Sequence, residues 1–216
     1  MQSYQFVFTD LETTGHEPLR QVDGTLVQWH EIIEIGVVRI NPATLKVTGT
    51  FEQKIKPSHP ERCVGEPAKV TKYHERADGG EWNSAVSLKQ GMDNLFAFLR
   101  EEPIPILGNQ NYFFDDRFLM VALVLAGYTE DDWKNVIHYS RFDTRSMAIQ
   151  ELWMPGTPFN PNDWSARNKD LVKKLGVKPE PDVHGALNGA RQACEIFCAL
   201  EKIKRQRNKT CLGIGD

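Results

Sequence analysis

The stretch that most constrains this chain is Phe6-Val7-Phe8-Thr9-Asp10-Leu11-Glu12-Thr13-Thr14-Gly15. Its aromatic and β-branched opening predicts a strand buried on both faces, and it places two carboxylates where the apolar run gives out. In an extended chain residues i and i+2 point the same way, so Asp10 and Glu12 project side by side, roughly 7 Å apart at the backbone. Their tips can converge on one cation. Two like charges at the end of an apolar strand repel unless something positive sits between them, and oxygen-only ligands suit a hard ion such as Mg²⁺ or Mn²⁺. Thr13, Thr14 and Gly15 follow with small side chains and a flexible backbone able to lie close to a ligand. An isolated Asp-x-Glu is more often a strand ending in a polar turn, so partners elsewhere decide between the two readings.

The rest of the chain reads as α/β. Ile32 to Ile40 is a second strand, closed by the turn signal Asn41-Pro42-Ala43-Thr44, and a third strand from Val47 to Ile55 returns antiparallel. His16 to His30 reads as a polar loop and Ser58 to Trp82 as irregular chain, with Lys69, Lys72 and Arg76 on a solvated face. A helix from Ser84 to Arg100 carries apolar residues at Leu88, Met92, Leu95, Phe96 and Leu99, a period of about 3.6. Pro103 to Leu107 is a short buried strand, Val136 to Tyr139 a fifth strand, and Asp143 to Leu152 a helix. Trp153 to Ser165 is a long loop, Lys169 to Leu175 a short helix, and Gly185 to Arg205 the last helix. Residues 1–205 form one domain on this reading, and 206–216 a basic tail that frays. Three strands followed by alternating helices and strands describe a mixed sheet flanked by helices, whose ligands gather at the carboxyl ends of central strands.

With 216 residues the chain is long enough for a sizeable core in a single domain. The formal net charge of −3 excludes a global basic field, so any nucleic-acid contact is local or metal-assisted. Cys63, Cys194, Cys198 and Cys211 have no zinc spacing and read as reduced residues of a cytoplasmic protein. There is no signal-peptide layout at the N-terminus and no apolar run of membrane-spanning length.

A second informative stretch, Asn109 to Leu119, leads into an apolar helix with Asp115 and Asp116 in its first turn, where carboxylates also favour the helix dipole. His184 stands just before the last helix in Pro181-Asp182-Val183-His184-Gly185-Ala186-Leu187-Asn188-Gly189-Ala190. Together with Asp10-x-Glu12 and Asp115 it completes a set. The sequence resembles the DEDDh 3′–5′ exonucleases, the family of the proofreading subunit of bacterial replicative polymerases and of the tRNA-trimming ribonuclease T. Phe8 to Gly15 is similar to the first family motif, followed by Ile32-Ile33-Glu34-Ile35-Gly36. Asn111-x-x-Phe114-Asp115-x-Arg117-Phe118-Leu119 is similar to the second, with Gln110 where many members have His. Phe142-Asp143-Thr144 and Asn168 to Gly176 are similar to further family segments, and several spaced motifs in one order are far more specific than any single match.

The resemblance implies a ribonuclease H-like fold with a mixed five-stranded sheet. It also implies two divalent cations, Mg²⁺ or Mn²⁺, held by Asp10, Glu12 and Asp115, with His184 taking the proton from the attacking water. Thr13, Thr14 and Gly15 would touch the terminal nucleotide, and Asn111 and Phe114 would shape its pocket. The implied partners are single-stranded DNA or RNA 3′ ends, with Lys69, Lys72, Lys173 and Lys174 along the rest of the strand. Trp29, Trp82, Trp153 and Trp164 beside loops are candidates for stacking on bases, although buried anchoring is the commoner use of tryptophan.

One position departs from the pattern. The family's third motif is His, four residues, Asp, and here Gly189 stands at that spacing from His184. Three accounts are open: a substitution that disables the enzyme, a weakly active or inactive module that binds nucleic acid or protein, or a replacement ligand such as Asp182 or Asn188. A metal phosphomonoesterase on the same carboxylates fits the motifs less well.

Overall fold

A computed structural model describes residues 4–101, 104–165 and 169–212, with side chains to residue 208. At its centre lies β1 (Tyr4–Thr13), paired antiparallel with β4 (Ile32–Ile40) and parallel with β6 (Ile104–Asn109). β5 (Val47–Lys54) adds antiparallel to β4, and β7 (Arg141–Asp143) parallel to β6. The order β5-β4-β1-β6-β7 is the mixed five-stranded sheet that the pattern of elements predicted. All nine residues of β4 are buried, as a strand covered on both faces requires.

The two faces of β1 have different partners. Val7 and Leu11 join a core with Met92, Leu95, Phe96 and Leu99 of α3 (Leu88–Leu99) and with Phe118, Leu119 and Ala122 of α4 (Tyr112–Leu125). Phe8 packs instead against Ala190, Ala193, Cys194 and Phe197 of the long α8 (Ala186–Leu212), and Phe6 packs against this cluster. Rings of Phe6 and Phe8 meet those of Phe142 and Phe197 at centroid separations of 5.2–5.3 Å, the edge-on range that aromatic quadrupoles favour. Of these, the fully buried Phe8 and Phe197 each contribute about 1.5–3 kcal/mol through removal from water. This packing fixes the height of α8 against the sheet. Gly36 fixes its closeness: a Cβ there would stand 2.1 Å from the Ala186 carbonyl carbon, so only glycine lets the first turn of α8 lie directly on β4.

Several elements differ from expectation. The segment read as a loop before β4 contains a hairpin, β2 (Leu19–Val22) with β3 (Thr25–Gln28), separate from the main sheet. Its strands are largely exposed, so they lack the apolar alternation that announces a strand. Chain read as irregular holds a 3₁₀ turn at Pro60–Arg62 and two short helices, α1 (Gly65–Thr71) and α2 (Tyr73–Asp78). α3 starts later than expected because Ser87 caps it, its hydroxyl accepting from the Gln90 N–H at 3.2 Å. The fifth strand is Arg141–Asp143 rather than Val136 to Tyr139. Val136 and Ile137 are buried in the α3–α4 core just after α5 (Glu130–Lys134), without sheet pairing. α6 (Thr144–Leu152) and α7 (Lys169–Lys174) form as expected; Pro103 and Asn168 lie outside the described residues. α8 runs on to Leu212 instead of ending at Arg205, with Arg205 donating to the carbonyls of Pro42 and Ala43 and Arg207 paired with Glu151.

Candidate active site

Asp10 and Glu12 continue the face of β1 that begins with Phe6 and Phe8, with Asp10 beside Gly189 near the start of α8. They open into a cavity of about 320 Å³, also lined by Asp115, Glu180, His184 and Gly189. Of the predicted substrate residues, Thr13, Asn111 and Phe114 line this cavity. Thr14 and Gly15 do not, and the Thr14 hydroxyl accepts from the Glu31 N–H at 2.9 Å while Gly15 leaves room for the His30 ring. These two residues brace the turn after β1.

Asp115 reaches the cavity from α4. It begins the helix's inward stripe, one and two turns before Phe118, Leu119 and Ala122, and is 4% exposed. Its carboxylate accepts from Asn109 Nδ2 at 3.0 Å and from the Leu11 backbone N–H. Burial nevertheless pushes this carboxyl up to about 8, since the charged form loses more hydration than those donors return.

His184 is held by its backbone. Its N–H donates to the Val70 carbonyl at 2.9 Å, and its own carbonyl accepts from Arg76 Nη1 at 3.2 Å. Arg76 also donates through Nη2 to Glu34 at 2.7 Å, and Glu34 in turn accepts from the Ala186 N–H at 3.2 Å, capping α8. Burial pushes the Glu34 carboxyl up, against the pull of Arg76 and that cap. Arg76 was expected on a solvated face; it is instead a buried strut joining β4, α1 and the His184 loop, with Nη1 donating to the Thr71 carbonyl at 3.0 Å.

Two acidic residues lining the cavity went unread in the sequence, the exposed Glu66 of α1 and Glu180. Glu180 stands in the loop between α7 and α8, its Oε2 3.6 Å from His184 Nδ1, and ligand atoms of Glu12, Glu180 and His184 all lie within 4.8 Å of one another. Its only sequence signal is an i, i+4 spacing to His184. Asp182 is exposed, and neither it nor Asn188 lines the cavity. At Gly189 a Cβ would stand 2.3 Å from Asp10 Oδ2, so the Asp10 carboxylate occupies the space into which a side chain at 189 would grow. Lys69, Lys173 and Lys174 are exposed, and Lys72 pairs with Glu75 at 3.8 Å. Trp82 is a buried anchor whose indole donates to the Ile55 carbonyl at 3.2 Å, whereas Trp29 lies between Arg20 and Arg62, each 4.6 Å from the ring centroid.

The exonuclease family model matches residues 7–197, a span that includes every residue of this site. The chain belongs to the exonuclease family. Its fold is that of solved 3′-exonucleases, including the nuclease domain of 3′hExo, a DEDDh family member bound to rAMP, at 16% identity and a TM-score of 0.65 over 93% of this chain and 92% of that one. A 3′-exonuclease described as recognising the 3′ end of a histone mRNA stem-loop matches at 16% identity and a TM-score of 0.66, over 93% of this chain and 64% of that one. A zinc-bound complex of Escherichia coli exonuclease I with single-stranded DNA matches at 18% identity and a TM-score of 0.68, over 95% and 42%. This chain thus spans less than two thirds of the length of the latter two. A search of curated proteins finds no match. Among the described residues no helix is long and apolar enough to cross a membrane.

The donor set of this cavity fits a hard divalent cation. Carboxylates from β1, α4 and the α7–α8 loop face one cavity, with an imidazole beside them, and oxygen-rich sites of that kind suit Mg²⁺ and Mn²⁺.

Proposed function

We propose that the chain is a metal-dependent 3′–5′ exonuclease that hydrolyses phosphodiester bonds at single-stranded nucleic-acid ends and releases nucleoside 5′-monophosphates. The observation that carries the reading is the meeting of Asp10, Glu12, Asp115 and His184 in one cavity at the carboxyl end of the central strand, inside a chain of the exonuclease family. Asp10, Glu12 and Asp115 would hold two divalent cations, Mg²⁺ or Mn²⁺. When bound, such ions supply charge neutralisation at the scissile phosphate and a more acidic water. His184 accepts the proton of the attacking water, a task suited to an imidazole whose ordinary pKa is near 6.5. The new P–O bond forms as the bond to the 3′ oxygen breaks, and that oxygen leaves with a proton from solvent. Thr13, Asn111 and Phe114 orient the terminal nucleotide. Cys63, Cys194 and Cys198 are free thiols, in keeping with a reducing cytoplasm.

Asp10→Ala and His184→Ala should each lower Mg²⁺- or Mn²⁺-dependent digestion of a 5′-labelled single-stranded oligonucleotide by about 10²–10⁴-fold. Digestion unchanged in either variant overturns the reading. Gly189 favours a second reading, a module that keeps the fold and binds nucleic acid or a protein without turnover. It predicts no digestion with any divalent metal, and a large gain of activity in Gly189→Asp.

A further inference from the structure

We infer that Glu180 supplies the carboxylate that position 189 lacks, so that the metal site is completed from the α7–α8 loop rather than from α8 itself. The inference rests on the exonuclease reading above.

Three observations converge on it. First, the carboxylate count is restored: the family pattern asks for a fourth carboxylate after Asp10, Glu12 and Asp115, Gly189 offers none, and Glu180 is the further acidic side chain brought to within 4.8 Å of Glu12 and His184. Second, the Asp10 carboxylate fills the space beside Gly189, 2.3 Å from where a Cβ would stand, so a side chain grown from α8 needs Asp10 to swing aside. Third, Glu180 is placed rather than trailing. Its side chain is 14% exposed, Pro179 and Pro181 restrict the backbone on either side, and four residues later His184 is anchored to Val70 and Arg76.

The rival role for Glu180 is to orient the His184 imidazole. At 3.6 Å, Oε2 and Nδ1 stand at ion-pair rather than hydrogen-bond distance. The two roles separate experimentally. Calorimetric titration with Mn²⁺ alone, without nucleic acid, should show one binding step of the full chain lost or weakened by about 10–100-fold in the isosteric Glu180→Gln. Glu180→Gln combined with Gly189→Asp should recover that step. Gly189→Asp alone, which pushes the Asp10 carboxylate aside, should bring no gain in Mn²⁺ affinity beyond about threefold, because the position it fills is already served. Wild-type Mn²⁺ binding in Glu180→Gln, with only the pH profile of digestion moved, overturns the inference in favour of imidazole orientation. A gain above about tenfold in Gly189→Asp alone also overturns it, by showing a vacant ligand position. A parent chain that digests oligonucleotides yet behaves in either of these ways leaves the exonuclease reading standing; a parent that binds no Mn²⁺ and digests nothing removes both.

Discussion

Glu12 and Glu34 are cross-strand partners on β1 and β4, 8% and 0% exposed, and the fold uses them in opposite ways. Around Glu34 the protein supplies its own compensation: the Arg76 guanidinium at 2.7 Å and the Ala186 N–H at 3.2 Å. Around Glu12 it gathers Glu180 and His184, groups that add negative charge or a titratable base. Residue type, depth and neighbouring strand are shared, so the difference lies in what faces each carboxylate. A buried carboxylate held by a guanidinium belongs to the scaffold, and one set among further carboxylates beside an imidazole is a place where an outside cation fits. The scaffold glutamate still serves the chemistry, because Arg76 carries its hold on to the His184 carbonyl and Glu34 caps the helix that follows.

The largest expected effect tests that division directly. Arg76→Ala leaves the Glu34 carboxylate buried without its cation and should cost about 3–5 kcal/mol of stability, read from the urea midpoint. Glu12→Gln in metal-free protein should keep the parental midpoint or raise it, because it removes one of several converging like charges, while digestion is lost. Equal destabilisation by the two variants would break the comparison.

A smaller effect concerns the third carboxylate. Asp115 has an ordinary pKa of 3.8, raised to about 8 in the folded chain by burial. The folded state therefore holds a proton that the unfolded chain releases, and the resulting stability is fully present below the unfolded value and lost as pH rises through the folded one. Metal-free protein should melt at a lower temperature at about pH 8 than at about pH 5, and Asp115→Asn should flatten the trend. Mn²⁺ should restore the alkaline Tm of the parent but less that of Asp115→Asn, placing Asp115 with Glu12 among groups that need an outside cation. Melting curves with and without EDTA check this, and a Tm that climbs with pH in metal-free protein would contradict it.

How far the sequence reached follows the same division. Strands β1, β4, β5 and β6 and helices α3 and α4 carry apolar runs or periods, and each stood near its expected place. Asp10, Glu12, Asp115 and His184 were singled out by the family motifs in which they stand, and the fold brings all four to one cavity. Arg76 and Glu180 were not. Both lie on short helices or loops whose sequence has no period, and their roles depend on contacts 42 and 108 residues away for Arg76, and on Glu12 for Glu180. The apolar run Val136-Ile137 misled for a related reason: burial alone does not say strand, and here the run closes a helical core while a three-residue polar segment, Arg141–Asp143, completes the sheet. Asp115 shows the converse, a charge hidden in the first position of an apolar helical stripe, which the dipole argument alone had made ordinary.

The smallest effect separates the two carboxylates of Arg76 itself. Glu81 lies 3.0 Å from the same guanidinium as Glu34, and both look like ion pairs of similar length. The Glu81 side chain is 45% exposed, however, and shares its charge with Lys54 at 3.7 Å. Water screens that contact and hydrates either partner when it opens, so Glu81→Ala should cost less than about 1 kcal/mol and leave digestion unchanged. Glu34 has no such recourse to water, and its truncation belongs with the 3–5 kcal/mol class, at about the cost of Arg76→Ala. A double-mutant cycle over Arg76, Glu34 and Glu81 measures the two couplings separately. A coupling to Glu81 as large as that to Glu34 would mean that contact length rather than burial sets the worth of these pairs, and the contrast between Glu34 and Glu12 would then have to be argued from geometry instead of from what each carboxylate is buried against.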